Sequence, residues 1–80
     1  MNIKQVIELV EKYIADPKSV SQEELKVAYD AAYDAWYGDA DTAVAHTACF
    51  YAADGALNGD IDDAKYWVAE YHISIKDNVC

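Results

Sequence analysis

Eighty residues, 54% hydrophobic and 12% aromatic with a formal net charge of -9, describe one small folded domain rather than a disordered acidic tail. The same charge argues against direct binding to DNA, RNA or an anionic membrane, because the phosphate contacts that dominate such binding need Lys and Arg. No apolar run approaches the length of a membrane span. The start, Met1-Asn2-Ile3-Lys4-Gln5-Val6, lacks the apolar stretch of a signal peptide, so a cytoplasmic location is expected.

Four helices read along the chain, and no strand does. The first spans about Ile3 to Ala15. Ile3, Val6, Ile7, Val10, Tyr13 and Ile14 recur at three- and four-residue spacing and share one face. Asp16-Pro17 ends it, since the residue before proline is pushed out of the helical region. The second begins at Ser21-Gln22-Glu23-Glu24, a capping box, with Val20 and Leu25 at the positions of a hydrophobic staple. It runs to Tyr37, where Gly38 supplies the stop. Its expected core stripe is Leu25, Tyr29, Ala32 and Trp36, with Asp30 and Asp34 opposite and Tyr33 and Tyr37 at the boundary.

Asp39 or Asp41 is placed to cap the third helix, which extends to about Leu57 before Asn58-Gly59. This helix is apolar nearly all round and is expected to be the most buried element. Gly55 within it weakens the helix by about 1 kcal/mol relative to Ala and permits a close crossing by a neighbour. Asp60, with Asp63 three residues on, caps the fourth helix, roughly Ile61 to Lys76. Its core stripe is Ile61, Ala64, Val68, Tyr71 and Ile75. Asp62, Tyr66, Ala69 and Ile73 lie on a second side that a lone domain does not need, a candidate contact with another chain. The repeated Gly-Asp-x-Asp-x-Ala pattern at Gly38 and Gly59 is read as two helix junctions.

Charge is distributed unevenly. Between Val27 and Ala64 stand eight aspartates (Asp30, Asp34, Asp39, Asp41, Asp54, Asp60, Asp62 and Asp63) and no lysine or arginine. Tyr29, Tyr33, Trp36, Tyr37, Phe50 and Tyr51 lie among them. Such a stretch projects a negative field toward a positively charged partner. Duplex DNA carries roughly one charge per 1.7 Å of axis, and carboxylates on rigid helices can imitate that array. The plainer reading is a solvated acidic face, with Asp39, Asp41, Asp60 and Asp63 explained as helix caps.

Metal and catalytic chemistry find little support. Asp39-x-Asp41 and Asp60-x-Asp62-Asp63 lack the further oxygens, central Gly and terminal Glu of a calcium loop. His46 and Cys49 are spaced as a helical pair, but zinc needs three or four ligands and no second pair completes the set. His72 is expected at the edge of the core with a hydrogen-bond partner. No nucleophile elbow, phosphate loop or zinc-protease motif is present, so neither enzyme activity nor a cofactor is expected. Cys49 and Cys80 are read as free thiols.

The Lys/Arg-free stretch from Val27 to Ala64 and the Tyr-Asp-Ala repetition from Ala28 to Tyr37 resemble, in size, charge and composition, the small acidic helical proteins that bacteriophages make against host defences. These are the anti-restriction and anti-CRISPR proteins. The resemblance implies a stoichiometric inhibitor of a nucleic-acid-handling complex, often acting by DNA mimicry, in the host cytoplasm. Immunity proteins of toxic nucleases share the same physical logic.

The sequence therefore predicts an all-α domain, a compact antiparallel bundle of four helices with short loops. The expected partner is a basic nucleic-acid-binding protein or complex. Asp30, Asp34, Asp54, Asp62 and Glu70 are the candidate charged contacts, and Tyr33, Tyr37 and Tyr66 the aromatic anchors. Asp54 stands on the helix expected to be the most buried. Two alternatives stand beside this: an interaction module acting through the apolar side of the fourth helix, including as a homodimer, and an immunity protein of one nuclease.

Overall fold

The computed structural model describes residues 2–38 and 44–77, and among them every regular element is helical. Helix α1 covers Ile3–Ala15, α2 Gln22–Gly38, α3 Val44–Leu57 and α4 Ile61–Asp77. The expected all-α bundle of four helices is what the chain forms. The caps expected from Asp39 and Asp41 lie outside the described residues.

Local chemistry sets the ends. At α1, Asn2 Oδ1 accepts from Gln5 N and Gln5 Oε1 accepts from Asn2 N, both at 2.9 Å. That reciprocal pair is a capping box not anticipated from the sequence. After α1, Asp16 Oδ1 accepts from Lys18 N at 3.2 Å and heads a single 3-10 turn over Pro17–Ser19. At α2, Ser21 and Glu24 exchange both bonds of the expected box at 3.1 Å. Val20 and Leu25 are both buried beside it.

The α3–α4 connection is tighter still. Gly59 has φ +78°, its N–H donates to Ala56 O at 3.1 Å, and Asp60 N donates to Gly55 O at 2.8 Å. This is a Schellman ending, which needs a residue without a side chain at the left-handed position. The next residue already opens α4: Asp60 Oδ1 accepts from Asp63 N at 3.0 Å and Asp60 O from Ala64 N at 3.0 Å. Gln22 Nε2 donates to Leu57 O at 2.8 Å, so the start of α2 supplies a donor to the end of α3. Gly55 does what its position implied. A Cβ there would lie 3.0 Å from Asp63 Oδ2 and 3.1 Å from Ala64 N.

Helix α3 packs against α2, α4 and α1, whereas α2 and α4 do not touch among the described residues. Helices α2, α3 and α4 therefore form a layer with α3 in the middle, and α1 lies across one side of it. The smallest extent of the molecule is 17 Å, consistent with two layers of helix. Val6, Ile7 and Val10 of α1, Leu25 of α2 and Cys49 of α3 are the largest fully buried side chains. Of the sixteen hydrophobic residues buried among the described ones, eight are alanines, five of them on α3. Small side chains let α3 approach three neighbours at once.

Three details differ from the periodicity. The buried line of α2 is Leu25, Ala28 and Ala32, while Tyr29 and Trp36 sit half-buried at its edge. Ile75 of α4 is exposed, one residue past the buried Ser74 and so turned about 100° away from it around the helix. Ser74 is buried instead, its hydroxyl satisfied by donation to Tyr71 O at 2.8 Å.

Candidate acidic and aromatic interface

The outward side of the three-helix layer is fixed by contacts on its inner side. Cys49 Sγ reaches Ile3 O of α1 at 3.7 Å, so that edge of α3 faces α1. At about 100° per residue, Tyr51 and Asp54 fall on the opposite edge. On α4, His72 Nε2 lies 3.3 Å from Glu11 Oε2 of α1, and Trp67 and Glu70 turn away from that contact. His72 is thus an exposed residue with a hydrogen-bond partner, nearer the surface than the core edge expected for it.

A continuous belt of eight aromatic rings crosses this outward side. Tyr33 and Tyr37 stack one helical turn apart, with centroids at 5.7 Å and an interplanar angle of 10°. Phe50 of α3 meets Tyr29 at 5.2 Å, Tyr33 at 5.8 Å and Trp36 at 5.2 Å, the last nearly parallel at 10°. Phe50 also touches Tyr51 at 5.5 Å, Tyr51 meets Trp67 of α4 at 4.8 Å, and Trp67 meets Tyr66 edge-on at 5.0 Å. The belt thereby joins α2 to α4, whose backbones do not approach each other closely among the described residues. Each such ring pair contributes about 0.5–1.5 kcal/mol beyond its buried area.

Tyr29, Phe50 and Trp67 are half-buried against the core and Trp36 is half-buried, while the other four rings are exposed. Tyr37 is 74% exposed, Tyr66 56%, Tyr33 41% and Tyr51 40%. Of the residues chosen from sequence, Tyr33 and Tyr37 belong to one end of the belt and Tyr66 to the other. Asp30 and Asp34 are exposed on α2, and each precedes a belt tyrosine by three residues. Asp62 is exposed on α4, four residues before Tyr66. Glu70 is half-buried, three residues after Trp67. Asp54 is half-buried rather than lost in the core, three residues after Tyr51, and its carboxylate accepts from Asn58 Nδ2 at 3.3 Å.

The sequence set Trp36, Phe50 and Tyr51 among the acids without choosing them as contacts, and left Trp67 out. It counted Asp63 in the acidic stretch and as a helix cap but not as a contact, although Asp63, Trp67 and Glu70 fall on one line of α4 at spacings of four and three. The missed signal is the recurrence of close aromatics on α2, α3 and α4: Tyr33, Trp36 and Tyr37, then Phe50 with Tyr51, then Tyr66 with Trp67.

Elsewhere the titratable groups have structural surroundings. Burial pushes the Cys49 thiol up to about 12, so at neutral pH it is a packed thiol donating to a backbone carbonyl. Burial, followed by neighbouring Cys49, Glu11 and Glu8, raises the Tyr71 phenol. The Ser21 backbone N–H, then its hydroxyl, holds Glu24 below the usual carboxylate value. No group of three or more His, Cys, Asp or Glu among the described residues is placed to hold a metal ion. No helix among them is long and apolar enough to cross a membrane.

No protein-family model, curated protein or solved structure matches this chain.

Proposed function

We propose that the protein is a non-enzymatic acidic inhibitor. It occupies the basic nucleic-acid-binding surface of a host defence protein, or of another nucleic-acid-handling complex, in the cytoplasm, and excludes the true ligand by mimicking DNA charge. The observation that carries this reading is the outward face of α2, α3 and α4. Exposed tyrosines alternate there with carboxylates, and no lysine or arginine occurs from Val27 to Ala64. Such a face attracts a basic partner at long range and offers flat contact area at short range. An immunity protein of a toxic nuclease would act by the same physics and differ in its partner.

The test is affinity capture from bacterial lysate at low and moderate salt, with the double variant Asp30→Asn/Asp34→Asn beside the wild type. Recovery of a nucleic-acid-binding complex by the wild type alone, weakening as salt rises, supports the reading. Equal recovery by both proteins at either salt discards it.

A second reading has its own observation. Tyr66 and Ile73 are 56% and 54% exposed on one side of α4, an apolar strip that a lone domain leaves wet. An interaction module or homodimer built on that strip would ignore the aspartate changes and fail on Ile73→Ser.

A further inference from the structure

We infer that the belt binds arginine side chains, so that the occupant of the acidic face is an arginine-rich segment of a partner protein. This rests on the reading of that face as a docking surface for a basic protein and adds which basic group it selects.

The first ground is the pairing of rings with acids. Each exposed belt tyrosine has a carboxylate three or four residues away on its own helix: Tyr33 with Asp30, Tyr37 with Asp34, Tyr51 with Asp54, and Tyr66 with Asp62 and Glu70. Residues at those spacings are surface neighbours on a helix. The unit is thus a flat π-face beside an acceptor, repeated across three helices. A guanidinium is planar, weakly hydrated and carries a fork of donors, so it can stack on the ring while donating to the carboxylate. A lysine ammonium is a compact, strongly hydrated point charge that gains little from the ring.

The second ground is that the chain has no arginine of its own. Its six basic residues are Lys4, Lys12, Lys18, Lys26, Lys65 and Lys76. No internal guanidinium competes for these sites. The third ground is charge. A second copy of the chain would bring two -9 molecules together on their acidic sides, and a nucleic acid would be repelled likewise. An arginine-rich protein segment complements both the charge and the rings.

The experiment titrates the full chain with an oligo-arginine and an oligo-lysine peptide of equal length. Binding is followed through the fluorescence of Trp36 and Trp67 at low and moderate salt. The arginine peptide is expected to bind at least about fivefold more tightly. Because guanidinium also pairs better with carboxylates, the ring contribution is isolated with Tyr37→Leu/Tyr51→Leu, and with Tyr37→Leu alone as the milder change. Helical circular dichroism checks that both variants fold. In them the arginine preference is expected to shrink, the arginine peptide losing more affinity than the lysine peptide. Equal affinities in the wild type, or a preference that survives in both folded variants, overturns the inference. If the two peptides bind equally, and both are released by salt and by Asp30→Asn/Asp34→Asn, the arginine inference fails while the acidic-inhibitor reading stands. Failure of both peptides to bind at low salt overturns both.

Discussion

Replacing Gly55 with alanine sets helix propensity against packing at the α3–α4 corner. In an open helix the change stabilises by about 1 kcal/mol. Here the added Cβ meets Asp63 Oδ2 at 3.0 Å, Ala64 N at 3.1 Å and Asp60 O at 3.4 Å. The Asp63 carboxylate is a side-chain end and can swing aside, but the other two atoms are backbone. That backbone is pinned by Asp60 N to Gly55 O at 2.8 Å and by Asp63 N to Asp60 Oδ1 at 3.0 Å. Relief therefore requires α4 to retreat from α3 by a few tenths of an ångström. The α3–α4 contact is the most extensive in the molecule, so that shift is felt along its length. Overpacking of this kind costs about 1–3 kcal/mol. Subtracting the propensity gain leaves a net loss of about 1 kcal/mol, which in a domain of this size lowers Tm by about 4–8 °C. Thermal and urea unfolding followed by helical circular dichroism measure it, with an unchanged urea slope showing that two-state unfolding persists. A Tm equal to or above that of the wild type would refute the reasoning, because it would show that the corner yields and that glycine is not sterically required.

Two further outcomes follow from the local chemistry. The folded-state pKa of Glu24 lies below its ordinary value of 4.5, so its contribution to stability is present above that value and is lost as pH falls toward the folded pKa. The Tm difference between wild type and Glu24→Gln is therefore expected to be largest near neutral pH and to vanish in acid; a pH-independent difference would show that the capping box is not the cause. The Cys49 thiol, buried and pushed up to about 12, should react with a thiol reagent at neutral pH only as fast as the domain opens. Prompt modification at Cys49 itself, located by peptide mapping so that Cys80 is not counted, would contradict its placement.

Helix boundaries were largely legible because they are written in short-range chemistry. Ser21 with Glu24, Asp60 with Asp63, Pro17 and Gly59 each act within a few residues, and the helix limits fall where those residues set them. Asn2 with Gln5 carries an equivalent signal at the first helix. The belt was not legible because it depends on which edge of each helix the neighbours leave uncovered. Helix α3 is apolar all round, so no periodicity separates Tyr51 from the buried Ala48 or Ala52. The contact with α1 at Cys49 makes that distinction, and it is a long-range one. Trp36 reads as core by spacing for a related reason. A large ring on a stripe edge can stack on a neighbouring ring, as Trp36 does on Phe50, instead of entering the core. The charged candidates Asp30, Asp34 and Asp62 were easier to place, since an unpaired carboxylate has to remain at the surface.

A core in which half of the buried hydrophobic residues are alanines changes which experiments can report on it. Alanine has no rotamers to freeze on folding, so the layer is ordered at little entropic cost, and it has almost nothing to lose by truncation. An alanine scan would therefore register α1 and the rings while remaining blind to most of α3. Enlargement is the informative direction there: a valine in place of Ala48, Ala52 or Ala56 measures directly how closely the helices meet. By the same logic, the buried positions of α3 admit little enlargement, whereas substitution of a belt tyrosine is felt through the ring contacts it removes.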